Sequence, residues 1–275
     1  MTADQSLHIK EYTLVLAHLG NIYAYILGWP LLAKFHLKLF YLCARALGLL
    51  NYSSVSISGE KTALRLLAGR ISPVVFDVGA YEGQWLAIVL SICPSAQIHA
   101  FEPQKTLAAQ IQFNYPSVKI NNIALGDAEG ELDLFDYADQ PGSQHASLLE
   151  GVIDGIHRGT SKSQRVSIST LNNYCEQNNI EYIDYLKVDV EGFELKVLQG
   201  AKRLIKENRV DVIQFEFTQI NLVGRTLMRD FFSFLSATHQ LYRLLPHGLL
   251  HLQPSDVWMN EQFVYQNILA LRKIR

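Results

Sequence analysis

The chain has 275 residues, 24 Lys and Arg against 26 Asp and Glu for a net charge of −2, and 49% hydrophobic residues. That apolar content excludes whole-chain disorder, and the near-neutral balance excludes a broadly basic nucleic-acid surface. The three cysteines, Cys43, Cys93 and Cys175, stand far apart without a C-x-x-C, which excludes a disulfide framework and a thiolate zinc motif and fits a reducing, cytoplasmic setting.

From Tyr12 to Gly59 the only charged side chains are Lys34, Lys38 and Arg45. The segment reads as helices broken at Gly28-Trp29-Pro30 and after Gly48, because Pro30 lacks the N–H that a helix interior needs. Residues 12–33 are long enough to span a bilayer, but His18, Gly20, Asn21 and three tyrosines dilute the apolar run. A signal peptide is disfavoured because Glu11 precedes the run and no small-residue cleavage site follows it. The favoured expectation is packing on the main domain or on a second subunit, which would make a homo-oligomer. Peripheral contact of residues 12–50 with an anionic membrane is the second expectation, and it would make a lipid-linked saccharide an attractive substrate. Residues 1–65 are therefore grouped as a helical N-terminal extension and residues 66–275 as the main domain.

From Ile71 onward, short apolar strands alternate with helices, the pattern of a parallel sheet covered on both faces. Strands are expected at residues 73–76, 97–101, 118–121, 185–188 and 210–217, with helices at 83–92, 104–113, 194–206 and 228–237. Residues 123–125 and 132–135 flank Gly126-Asp-Ala-Glu-Gly130 and read as a β-hairpin. Residues 138–163 read as a long irregular loop, often a functional feature in a compact domain. Thr170 caps a helix through Asn178, and two late strands, 241–245 and 264–271, close the chain.

The run Val75-Phe-Asp77-Val-Gly79-Ala-Tyr-Glu-Gly83 carries the sharpest signal: an apolar strand ends in an acid, and a glycine-rich turn opens a helix. Its spacing is not G-x-G-x-x-G, and a carboxylate inside the turn would repel a pyrophosphate. An acid there suits a ligand with an ammonium group, such as S-adenosylmethionine, which has no phosphate. Phe101-Glu102-Pro103 ends the next strand, placing an acid where it can accept both hydroxyls of a ribose. Lys187-Val-Asp189-Val-Glu191-Gly192-Phe-Glu194 leaves the fourth strand, and Glu216 leaves the fifth. Asp77, Glu102, Asp189 and Glu216 should then share one rim of the sheet, whereas Glu194 reads better as a helix-opening acid.

With these residues in view, DVGAYEG at 77–83, FEP at 101–103, NNIALGD at 121–127, HASLL at 145–149 and IDYLKVDVEGFELKVLQGA at 183–201 resemble the FkbM family of S-adenosylmethionine-dependent methyltransferases. The resemblance covers about residues 70–220 and leaves 1–65 without a family feature. It implies an α/β, Rossmann-like class I methyltransferase sheet, with strand order 3-2-1-4-5-7-6 and strand 7 antiparallel. It also implies methyl transfer to a hydroxyl of a sugar, glycolipid or natural-product acceptor. Carried over, Asp77, Gly79, Ala80, Tyr81 and Gly83 line the methionine end of the cofactor, and Glu102 with Pro103 meets the ribose. Asn122 and Ala124 pass the adenine, and Asp189 and Glu191 lie near the transferring methyl. Ser147 matches a family serine to which the sequence assigns no role.

Methyl transfer to an aliphatic hydroxyl calls for a positioned general base. Asp189 and Glu191 are the preferred candidates, with His145 and Glu216 beside them. No compact His/Asp ligand run appears, so no metal is expected. Trp85 reads as helix core and Tyr81 as a turn residue of open role. The competing function is a catalytically inactive S-adenosylmethionine-binding partner subunit; a nicotinamide oxidoreductase is disfavoured by the acid within the glycine turn.

Overall fold

A computed structural model describes residues 3–273, with side chains from residue 15 onward. The chain divides into two compact units, residues 1–46 and 47–275. The first is helix α1 (Ala3–Leu27), a 3-10 turn at Pro30–Leu32, and helix α2 (Ala33–Ala46). The boundary expected at 65/66 thus moves to 46/47. Residues 47–65 belong with the sheet because α3 (Val55–Ser58) and α4 (Glu60–Leu64) pack on it, with Leu64 fully buried and Thr62 Oγ1 donating to the Pro246 carbonyl at 2.7 Å.

The second unit continues with β1 (Val74–Val78), α5 (Gln84–Ile92), β2 (Gln97–Phe101), α6 (Lys105–Asn114), β3 (Lys119–Asn121), β4 (Ala124–Leu125), β5 (Gly130–Tyr137) and β6 (Ser161–Ser169). It ends with α7 (Leu171–Gln177), β7 (Ile183–Val188), α8 (Glu194–Gly200), α9 (Lys202–Lys206), β8 (Val210–Phe217), α10 (Met228–Leu235), β9 (His239–Leu245), β10 (Gly248–His251), α11 (Val257–Asn260) and β11 (Gln266–Arg272). The main sheet runs β3-β2-β1-β7-β8-β11-β9-β10. Its first seven members reproduce the 3-2-1-4-5-7-6 order, and β11 lies antiparallel to both β8 and β9.

Apolar runs in the central strands bury both faces of this sheet. Phe76, Leu186, Ile213 and Ile268 face one layer, with α7, α8 and α10; Val75, Tyr185, Val212 and Leu269 face the other, with α4, α5 and α6. The strand register fixes the upper rim. Val78 pairs with Phe101 on one side and Val188 on the other, and Val188 pairs with Phe215. One residue further, Glu102, Gly79, Asp189 and Glu216 fall into one row across four strands. Side chains repeat with period two, so the row beneath on the same face is Asp77, Lys187 and Gln214.

Two sequence expectations change. Residues 123–135 do not form a hairpin: β6 inserts between β4 and β5, giving a separate sheet of order β4-β6-β5. The alternation of Val166 and Ile168, both buried, with Ser167 and Ser169 is the strand signal; Ala124, Leu134 and Phe193 complete that small core. The span 194–206 is two helices, α8 and α9, meeting at Ala201 rather than one.

Candidate active site

Gly79 and its neighbours make the turn at the head of β1. Gly79 has φ +88°, and a Cβ there would stand 1.8 Å from the Asp189 carbonyl oxygen, so the β1 and β7 exits approach too closely for any side chain. The Gly79 and Ala80 N–H groups both donate to the Phe101 carbonyl, at 3.0 and 3.1 Å, which joins the β1 turn to the end of β2. Tyr81 and Glu191, both non-glycine, hold left-handed φ values of 50° and 53°. Such positions cost about 1–3 kcal/mol each and cluster at functional sites.

Glu102 is buried, and each of its oxygens accepts one backbone N–H, from Tyr81 at 3.0 Å and Gln104 at 2.9 Å. Burial pushes its carboxyl up to about 7 despite those bonds. It borders a narrow cleft whose other walls include Phe101, Pro103, Ile123, Ala124 and Val190. Gly79, Tyr81, Asp189 and Glu191 line both this cleft and the adjoining cavity of about 610 Å³. The larger cavity also carries Ala80, Lys187, Glu216, His145 and His157.

Charge in the larger cavity is one-sided. Lys187 lies 2.9 Å from Asp189 and 3.6 Å from Asp77, with Trp85 beneath its ammonium at 5.7 Å. Burial alone would lower that ammonium, but Asp189 and Asp77 hold it above its ordinary range. Burial followed by the Asp189 and Glu191 charges lifts Glu216 well above the carboxylate range, and burial also lifts Glu191. One lysine thus faces the carboxyls of Asp189, Glu191 and Glu216 across the cavity, with Asp77 beneath it.

The insertion between β3 and β7 brings His145 over the cavity. Asp136 organises it, accepting from the backbone N–H of Tyr137, Gly142 and Ser143 at 2.8, 2.6 and 3.1 Å and from Ser143 Oγ at 2.5 Å. Ser143 Oγ accepts in turn from the His145 N–H at 3.2 Å. Ser147 acquires a role: its buried hydroxyl donates to the Glu191 carbonyl at 2.7 Å, clasping the insertion to the turn after β7. His145 Nδ1 then lies 3.8 Å from Glu191 Oε1. Contact with Glu191, against a smaller opposing burial cost, raises the His145 imidazole, while burial and the nearby His145 lower His157. The two imidazoles stack at 4.1 Å with 24° between planes. His145, His157 and Glu191 offer ligand atoms within 4.8 Å of one another.

Of the residues expected at the cofactor, Gly79, Ala80, Tyr81, Glu102, Pro103, Ala124 and Asp189 line these spaces, as do Glu191 and His145 of the expected base candidates. Asp77, Gly83 and Asn122 do not. Asp77 is fully buried one row below the rim, where it lies 3.6 Å from Lys187. Gly83 (φ +80°) opens α5 against Tyr115. Asn122 donates to the Glu102 and Pro103 carbonyls at 2.9 Å each and braces the acid without facing the cleft. Glu194 opens α8 and accepts from the Val190 and Gly192 N–H groups at 3.1 and 3.0 Å, shaping the turn that carries Glu191. Trp85 is core, as its helix position suggested. The sequence reading missed Lys187, although a lysine inside an otherwise apolar strand, Tyr185-Leu-Lys-Val188, signals a buried partner. Nothing local marked Glu60 or Tyr265 as cavity residues, whereas His157 lies in the loop 138–163 expected on the substrate side.

The model for the methyltransferase FkbM domain matches residues 77–244, more than half of the chain. The chain belongs to the FkbM methyltransferase family. It is 28% identical over 148 residues to the 2-O-methyltransferase NoeI of Sinorhizobium fredii, covering 50% of this chain and 60% of that protein. It is 30% identical over 159 residues to the AMB antimetabolite synthetase AmbE of Pseudomonas aeruginosa, covering 46% of this chain and 8% of that protein. The chain thus spans less than two thirds of each of these relatives. Among solved structures, an O-methyltransferase from Bacillus cereus in complex with SAH aligns with 9% identity and a TM-score of 0.41, over 93% of this chain and 97% of that one.

An FkbM methyltransferase uses S-adenosylmethionine, and the residues present fit it. The larger cavity is over-supplied with carboxyls, which suits a ligand carrying both ammonium and sulfonium and disfavours a pyrophosphate. The narrow cleft offers apolar walls for a purine beside an acid with lone pairs left for ribose hydroxyls.

Proposed function

We propose that this FkbM methyltransferase transfers a methyl group to a hydroxyl oxygen of a saccharide-bearing acceptor, with His145 as the general base and Glu191 as the carboxylate that orients and strengthens it. The observation that carries this reading is the His145–Glu191 contact at 3.8 Å on the wall of the cavity adjoining the Glu102 cleft. Ribose and adenine would be held by Glu102 and the cleft; Asp189, supported by Lys187 and Asp77, would meet the methionine end.

When bound, S-adenosylmethionine supplies an electrophilic methyl on a positive sulfur. An aliphatic hydroxyl needs to lose its proton as its oxygen attacks in line, and an imidazole is the side chain best suited to take that proton near neutral pH. The Glu191 carboxylate stabilises the imidazolium that results. Asp189 and Glu191, the earlier preference for the base, are better used as charge than as proton acceptors, because Asp189 already pairs with Lys187 and Glu191 with His145. The relative named a 2-O-methyltransferase supports oxygen as the acceptor atom. Polar side chains such as Gln144, His157 and Thr218, with Tyr265, suit a saccharide. The three cysteines are free thiols, which supports a cytoplasmic setting.

The test supplies purified protein and methyl-labelled S-adenosylmethionine to the glycan and glycolipid fractions of cells lacking the protein. Label entering as a base-stable methyl ether supports the reading. Label entering only amines or base-labile esters contradicts it. Cofactor binding with no transfer to any fraction would favour the inactive partner subunit.

A further inference from the structure

We propose that residues 15–46 form a membrane-docking element: a bent helix pair that lies in the headgroup region of an anionic lipid bilayer without crossing it. No single helix among the described residues is long and apolar enough to span, whereas Val15–Leu27 and Pro30–Ala46 reach that length and hydropathy only together, and the pair is bent by 102°. The bend is built. Pro30 ends the first run, Trp29 Nε1 donates to the Ile26 carbonyl at 2.9 Å, and His36 bonds Tyr23 Oη through Nδ1 at 3.1 Å and the Leu27 carbonyl through Nε2 at 3.0 Å. His36 therefore locks α2 to the end of α1 at an angle that straight passage through hydrocarbon would not tolerate. Helix α2, with 14 residues, is about 21 Å long, short of a hydrocarbon core of about 30 Å.

Helix α1 exposes apolar side chains, and α2 sets its cations on one side. At about 100° per residue, Val15, Leu16, Leu19, Ile22, Tyr23 and Ile26 fall within an arc of about 120° on α1, and all six are exposed. Ala17, His18, Gly20, Asn21 and Ala24 take the opposite side, together with Tyr25, which is 91% exposed. On α2, Lys34, Lys38 and Arg45 fall within an arc of about 40°. Exposed Phe35, Leu37, Leu39, Phe40 and Leu42 occupy the rest of the circumference, and Trp29 and Leu31 project at the bend, 66% and 90% exposed. An apolar surface this continuous is not left in water without a purpose.

Charge selects the occupant. Between Tyr12 and Gly59 every charged side chain is positive. A second copy packed symmetrically on this surface would bring its cations near their own images with no acid in the segment to neutralise them. An anionic lipid surface answers the same cations with phosphate, and Trp29 and the tyrosines belong at the depth where headgroup meets acyl chain. The inference concerns the N-terminal unit by itself and does not depend on the chemistry proposed for the cavity.

The experiment sediments the full chain with vesicles of phosphatidylcholine alone or with one third phosphatidylglycerol. Expected is capture by the anionic vesicles, at least tenfold weaker capture of a Lys34→Glu/Lys38→Glu variant, and release by salt. An Ile22→Asp/Ile26→Asp variant should also lose capture while keeping wild-type affinity for S-adenosylhomocysteine, which shows that the catalytic unit is intact. Full recovery in the supernatant with anionic vesicles would overturn the proposal. So would equal capture by both vesicle types, or a stable dimer in light scattering that the aspartate pair dissolves without any vesicle binding.

Discussion

Replacing Glu191 by Gln removes the negative charge that faces His145 and nearly preserves shape. The two groups are 3.8 Å apart, with side chains 32% and 19% exposed. A unit charge pair at that distance is worth about 1 kcal/mol in water and about 4 kcal/mol at an effective dielectric of 20. Partial exposure screens the pair, so about 1–2 kcal/mol is the reasonable range. The folded-state value of His145 is raised in the wild type. The pair's stabilisation is therefore fully present below the ordinary histidine range and is lost as pH rises through the raised value. Titration of the His145 ring followed by NMR reads the value directly, without an acceptor substrate. Glu191→Gln should lower it, and the acidic limb of any pH–rate profile should move down with it while the rate above the limb falls. An unchanged His145 titration would show that Glu191 does not act on the imidazole, and the proposed dyad would fail.

Glu102→Ala should weaken S-adenosylhomocysteine binding by about 1–3 kcal/mol, the scale of hydrogen bonds to a charged acceptor; calorimetric titration checks this, and unchanged affinity would remove Glu102 from the ribose. Gly79→Ala should lower the melting temperature and abolish cofactor binding together, because the new methyl meets the Asp189 carbonyl at 1.8 Å and the backbone is left-handed there; a variant of wild-type stability would contradict the close approach. Burial lifts the Glu194 carboxyl from 4.5 to about 7. Its proton therefore stabilises the fold fully below about pH 4.5, and that contribution is lost as pH rises through 7, at a cost of up to about 3 kcal/mol. Glu194→Gln keeps one oxygen for the Val190 and Gly192 N–H groups, so denaturant unfolding should find it more stable relative to wild type at pH 8 than at pH 5; a pH-independent difference would refute the shift.

Much of this architecture is written in local pattern. Apolar runs such as Val74–Val78 and Val210–Phe217 mark strands directly, and Glu102, Asp189 and Glu216 share a rim because parallel register carries them there. The depth of a residue along its strand is a different matter. Asp77 sits one row too low to reach the cavity, which depends on where Gly79 meets Asp189, a contact between positions 110 residues apart in the sequence. The small sheet escaped for a related reason: β6 pairs with β4 and β5 from beyond a long polar excursion, and Ser161–Arg165 is too polar to announce a strand. His145 looked like one loop histidine among several. Its distinction arises only when Asp136 folds the loop and Ser147 fastens it to the Glu191 carbonyl.

The most direct measurement is a crystal structure of the full chain with S-adenosylhomocysteine and a saccharide in the cavity. The expected complex has ribose hydroxyls on Glu102, the purine between Phe101 and Val190, and the sulfur open to the cavity, with one saccharide hydroxyl within hydrogen-bond reach of His145. Adenosine bound elsewhere, or a sulfur turned away from His145 with no hydroxyl near the imidazole, would contradict it.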